Sequence, residues 1–179
     1  MGIMRTLEVR RHTHRNSPQP HLSQLGVDLA RQVGEEMGKF DRVITSTVPR
    51  AFETALAMGY AVDEQIEQLG MMSEEVTAII PWNVGFAAWA RAALTSPVVT
   101  RYTQAMAWLW RSIVHALPDG GRALIISHGG IVEAGTVGCA LASTTITDDA
   151  ACGYCEGVRL TFDSDAVVSV KPLRVKQPQ

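Results

Sequence analysis

Apolar residues along this chain follow two periods. Short aliphatic runs that end at glycine or polar residues read as buried strands. Three stand out: Thr6-Leu7-Glu8-Val9-Arg10-Arg11-His12, Arg42-Val43-Ile44-Thr45-Ser46 and Ala123-Leu124-Ile125-Ile126-Ser127-His128. Between them the period changes to three and four. Ser23 reads as an N-cap, followed by Leu25, Leu29, Val33 and Met37 on one helical stripe that ends near Gly38. A second helix begins at Pro49, a residue tolerated in the first turn, with Ala51, Ala55 and Met58 on one side. A long helix from about Thr100 to Leu117 carries Tyr102, Met106, Leu109 and Ile113, and Pro118-Asp119-Gly120-Gly121 stops it. Its Trp108 and Trp110 cannot share a face, so one packs inward. A small-residue helix spans Ile131 to Leu141. Two short strands, Gly157–Phe162 and Ala166–Val170, close the pattern through a hairpin at Asp163-Ser164-Asp165.

Strands alternating with helices predict a three-layer α/β/α domain with a mainly parallel sheet, the last hairpin adding antiparallel pairing at one edge. Residues 1–179 read as a single domain, consistent with the length. The stretch 60–100 is less regular. It holds a carboxylate cluster (Glu64, Glu67, Glu74, Glu75) and an aromatic segment (Trp82, Phe86, Trp89) that suits core or a pocket lid equally well.

Composition narrows the function. Hydrophobic residues at 46% and charged ones at 19% describe a globular chain. A net charge of -2 argues against a general nucleic-acid or membrane-surface binder. No apolar run approaches a bilayer span, and Met1-Gly2-Ile3-Met4-Arg5 lacks a signal peptide's apolar core, so a cytoplasmic protein is expected. Cys139, Cys152 and Cys155 are an odd number without a disulfide-framework spacing. Cys152-Gly153-Tyr154-Cys155 has no second CxxC to complete a zinc site.

The chemistry sits at the strand ends, where open α/β sheets bind their ligands. His12 ends the first strand beside Arg11, and His128 ends the third before Gly129-Gly130. Arg50 lies four residues past Ser46, in the first turn of its helix, where free N–H groups already favour an anion. Guanidinium forks match phosphate oxygens. One imidazole can then attack phosphorus while the other, as an imidazolium, donates to the equatorial oxygens. His12-Thr13-His14 also has the spacing of a metal-binding HxH, but no downstream carboxylate pattern supports one.

Four segments in order resemble the histidine phosphatase superfamily, the phosphoglycerate mutase-like fold, in its small branch. They are Val9-Arg10-Arg11-His12-Thr13, Leu22-Ser23-Gln24-Leu25-Gly26, Thr45-Ser46-Thr47-Val48-Pro49-Arg50-Ala51-Phe52-Glu53-Thr54-Ala55 and Ile126-Ser127-His128-Gly129-Gly130. The resemblance covers roughly residues 5–60 and 122–141. It implies His12 as a phosphohistidine nucleophile, with Arg11, Arg50 and His128 around the phosphoryl group. It also implies Arg15 and Gly129 as substrate-binding positions. Thr13 stands where the family has glycine, which restricts the backbone's approach to phosphate. Leu69-Gly70-Met71 lacks the glutamate of the family's Leu-x-Glu acid, leaving Glu75 or Glu74 as the expected proton donor. No aspartate follows His128.

The expected activity is hydrolysis of a phosphate monoester, without metal or cofactor. Its substrate would be a phosphorylated small molecule or phosphoprotein, and its specificity would lie in 60–100. A phosphomutase on the same fold and a catalytically impaired phosphate- or protein-binding homologue are the alternatives.

Overall fold

The computed structural model describes residues 4–140 and 150–178. Six strands form one sheet in the order β3-β2-β4-β1-β5-β6. They are β1 (Met4–Arg11), β2 (Arg42–Thr45), β3 (Glu64–Gln65), β4 (Arg122–Ser127), β5 (Gly157–Asp163) and β6 (Ala166–Leu173). The pairs β1–β4, β2–β4 and β2–β3 are parallel, whereas β5 runs antiparallel to both β1 and β6. The expected parallel sheet with an antiparallel hairpin at one edge is the sheet found. β3 is an addition, too short to have a period.

Two helices cover one face: α1 (Gln24–Gly34) and α2 (Pro49–Ala57). Leu29, Ala30 and Val33 of α1 and Ala51 and Ala55 of α2 pack on Val43, Leu124 and Ile126. Ser23 caps α1 as expected, its hydroxyl accepting the Gly26 N–H at 3.1 Å. The helix ends at Gly34, earlier than the sequence stripe suggests, and Met37 continues the buried stripe from the turn beyond. The other face is covered by α5 (Pro97–His115) and α6 (Ile131–Ala140). Here Leu7, Val9, Ile44 and Ile125 meet Met106, Trp110, Ile113, Ile131 and Val132. Trp110 is wholly buried while Trp108 is 74% exposed, the split that their spacing demands. α6 is rich in small residues because α5 crosses it closely: a Cβ on Gly138 would lie 2.0 Å from the Thr103 carbonyl oxygen. Leu141, where the sequence reading ended this helix, lies outside the described residues.

The irregular segment resolves into a 3₁₀ turn (Glu67–Gly70), the one-turn helix α3 (Glu74–Thr77) and α4 (Phe86–Thr95). Phe86 and Trp89 are buried, and Trp89 packs with Val76, Ala93, Val99, Ala134 and Val137 in a small outer core. Trp82 remains 48% exposed. So the aromatic trio divides: two rings are core and the third is not.

Candidate active site

Sheet register brings the two histidines together. Arg11 pairs with Ser127 across the parallel β1–β4 ladder, so His12 and His128 each stand one residue beyond matching strand ends. The His12 amide donates to the Ser127 carbonyl at 2.9 Å, which fixes this offset. The two rings lie 5.1 Å apart at an interplanar angle of 60°. Ser46, at the end of β2, donates its amide to Ile126 and places its hydroxyl 2.8 Å from His128 Nε2.

One ring nitrogen of His12 is committed. Its Nδ1 lies 2.7 Å from the Thr13 carbonyl oxygen, which can only accept, so Nδ1 carries the proton. Nε2 then presents its lone pair, and it accepts the Arg50 Nε–H at 3.0 Å. Burial lowers the His12 pKa to about 2, with nearby His128, Arg50 and Arg11 lowering it further against the raising effect of the Thr13 carbonyl. At neutral pH His12 is an uncharged imidazole with a free electron pair.

Thr13, expected to stiffen the backbone beside phosphate, has a different part. Its amide donates to Thr54 Oγ1 at 3.1 Å and its hydroxyl to the Gly26 carbonyl at 3.0 Å. The side chain is wholly buried and ties the loop after β1 to both α1 and α2. These bonds hold in position the carbonyl that fixes the His12 tautomer.

A cavity of about 340 Å³ opens at these strand ends, lined by Arg11, His12, Arg15, Arg50, Trp82, His128, Gly129 and Tyr154. All six residues that the sequence reading placed around phosphate, Arg11, His12, Arg15, Arg50, His128 and Gly129, thus share one wall. Arg50 occupies the first turn of α2 behind Pro49. Burial and the neighbouring Arg15 and Arg11 charges lower its pKa. Arg11 donates to the Cys152 carbonyl through Nη1 at 3.1 Å, while its buried Nε has no partner among the described residues. Its guanidinium lies between two rings, 4.3 Å from the Tyr154 centroid and 5.0 Å from that of Trp82.

Two of the expected roles are not displayed by the site as it stands. His128, read as an imidazolium, has its pKa lowered to about 4 by burial and by the Arg50 and Arg11 charges, so it is neutral at pH 7. Its buried Nδ1 has no partner among the described residues. Glu74 and Glu75, read as proton donors, are exposed at the start of α3 and do not line the cavity. Ser73 caps that helix and turns their side chains to solvent, the usual fate of acidic residues in a first turn.

Trp82, left open by the sequence between core and pocket lid, lines the cavity; Tyr154 and Glu133 were not expected at the site. Trp82 and Tyr154 lie far from the histidines in sequence and carry no periodic signal. Glu133 is wholly buried in α6. Its two oxygens accept the amides of Gly130 and Cys152, each at 2.7 Å, and burial raises its pKa. It thereby joins the turn after His128, where Gly130 adopts φ 83°, to the loop bearing Tyr154 and the carbonyl that holds Arg11. The CxxC cysteines are buried and form no disulfide, and burial raises both thiol pKa values. Among the described residues no three His, Cys, Asp or Glu side chains gather as a metal-ligand set, and no helix is long and apolar enough to cross a membrane.

No family profile matches the chain, and no curated protein matches it in sequence. Its fold is nonetheless shared with solved structures. A phosphoserine phosphatase from Entamoeba histolytica, in complex with 3-phosphoglyceric acid, is similar at a TM-score of 0.66 and 14% identity, over 97% of this chain and 98% of that one. A phosphoglycerate mutase from Bacillus anthracis gives 0.63 and 15%, over 96% and 93%. A mycobacterial glucosyl-3-phosphoglycerate phosphatase in complex with VO3 gives 0.60 and 19%, over 87% and 92%.

Proposed function

On the histidine phosphatase fold that this chain shares with those structures, we propose that it hydrolyses a phosphate monoester through a phosphohistidine at His12. The observation that carries this reading is the state of the His12 ring: Nδ1 bound to the Thr13 carbonyl, Nε2 bearing a lone pair among three guanidinium groups. An incoming phosphoryl group takes over the Arg50 N–H now directed at Nε2. Arg11, Arg50 and Arg15 neutralise its oxygens without a metal ion. A phosphoryl dianion beside His128 favours the protonated ring that burial alone disfavours, so His128 gains a donor as charge develops. Water then cleaves the phosphohistidine.

The substrate is a phosphorylated small molecule, the class that the named phosphatases act on. The segment 60–100 serves as the specificity region of a single domain, contributing Trp82 to the cavity wall. Brief incubation with substrate, quenched without acid, should trap an acid-labile phosphoryl group on the peptide containing His12. A label elsewhere, or none despite robust turnover, would remove the covalent mechanism.

A further inference from the structure

We propose that the pocket selects aryl phosphates, esters of a flat aromatic alcohol, and that Trp82 is the residue that sets this preference. The proposal rests on the phosphatase reading and names its substrate class. Two independent features of the cavity meet in it.

The first is the set of groups available to the leaving oxygen. Among the described residues lining the cavity there is no carboxylate. Glu133, behind the Gly129-Gly130 turn, has both oxygens engaged by backbone amides. Glu53 of α2 is held by the His21 ring and the Leu22 amide. Glu74 and Glu75 face solvent. A strongly basic alkoxide departs slowly unless an acid protonates it in the transition state, an assistance worth roughly 10²–10⁴-fold. A phenolate departs without that help.

The second feature is the rim. Trp82 is half-exposed, yet one edge of its ring packs against the backbone after His128: a Cβ on Gly129 would lie 2.9 Å from Trp82 Cε3. Tyr154 stands across Arg11, 5.9 Å from the His12 ring. Trp82 and Tyr154 both line the cavity into which a leaving group departs. A flat apolar ring covers the exposed face of Trp82, and stacking favours that arrangement.

The reaction balances with groups already named. The N–P bond to His12 Nε2 forms as the P–O bond to the aryl oxygen breaks, and that electron pair leaves on the phenolate. Water then forms a P–O bond as the P–N bond breaks, returning the neutral imidazole. The proton released from this water is taken up by the phenolate.

Three probes separate the two features. Phenyl phosphate has a ring and a weakly basic leaving oxygen, benzyl phosphate has a ring on an alkoxide, and acetyl phosphate has a weakly basic oxygen and no ring. We expect kcat/KM for phenyl phosphate to exceed that for benzyl phosphate by on the order of 10²-fold or more. In Trp82→Leu the phenyl-to-acetyl ratio should fall about tenfold, chiefly through KM, the worth of one stacked ring, and Trp82→Phe should restore it. Equal turnover of phenyl and benzyl phosphate overturns the proposal. If that equality disappears in Glu74→Gln or Glu75→Gln, the acid role returns to those residues. A ratio unchanged in Trp82→Leu, including one in which both substrates slow together, assigns Trp82 to packing and overturns its part. Release of phosphate from none of the three probes defeats the phosphatase reading itself, a result distinct from all the others.

Discussion

Arg10 and Arg11 are neighbours on β1, and their surroundings differ in the one respect that matters for an anion. Strand alternation sends Arg10 to the face of α1 and α2, where Glu8 is wholly buried. Arg10 Nε donates to Glu8 at 2.7 Å, Arg159 Nη2 donates to the other Glu8 oxygen at 2.9 Å, and Arg10 Nη1 donates to the Cys155 carbonyl at 2.8 Å. That cation is matched inside the protein. Among the described residues Arg11 meets the Cys152 carbonyl, to which it donates, and two ring faces, and Arg15 and Arg50 share its cavity. A paired buried charge holds the fold together, whereas clustered guanidinium groups without a carboxylate are positioned to receive an anion from outside.

The largest effect is expected at Glu8. Glu8→Gln leaves Arg10 buried without its counter-ion, and we expect a loss of about 3–5 kcal/mol in urea unfolding. A small loss would mean that Arg10 is no more bound to the fold than Arg11. Next comes Arg50→Ala, which should lower turnover on the order of 10²–10³-fold, as loss of an oxyanion donor does, with little change in unfolding midpoint. Inorganic phosphate should raise the melting temperature of the native protein, and raise it less in this variant.

A smaller effect concerns acid. Burial lowers the pKa of both imidazoles in the folded state, so below about pH 6.5 the unfolded chain binds protons that the folded one refuses. This contribution to stability is complete above that pH. It declines as the pH falls toward 4 for His128, and further toward 2 for His12. Glu133, raised by burial, acts in the opposite sense above its ordinary carboxyl range, so the difference between native protein and His128→Gln isolates the histidine part. Melting temperature against pH should therefore fall less steeply on the acid side in His128→Gln. Smallest of all is the expected effect of a chelator on turnover, which is none. Loss of activity with EDTA, restored by a divalent ion, would return His12 and His14 to the metal reading.

How far the sequence could be read follows from the range of each interaction. β1, β2 and β4 announce themselves by local apolar runs, and the open-sheet rule then brings His12, Arg50 and His128 to one edge. Arg11 and Arg15 come with them as chain neighbours. Trp82, Tyr154 and Glu133 reach the same place through tertiary contacts that leave no local period. α4 was hidden because its exposed side carries alanines and Leu94 beside the single charge of Arg91, so the buried stripe of Phe86, Trp89 and Ala93 has little polar contrast. The exposure of Glu74 and Glu75 was not legible, because nearness to a motif in sequence does not tell which way a helix cap turns a side chain.

Trp82 also gives the molecule an optical handle. Of the four tryptophans, Trp89 and Trp110 are sealed in the core and Trp108 stands in solvent on α5. Trp82 alone lines the cavity, with the Arg11 guanidinium against its ring. Its emission should respond when an anion draws Arg11 toward the cavity, while the buried pair supplies a constant background. A Trp108→Phe protein would remove the solvent-exposed signal and leave Trp82 as the changing one. Occupancy of the pocket could then be followed in stopped flow before any bond is broken.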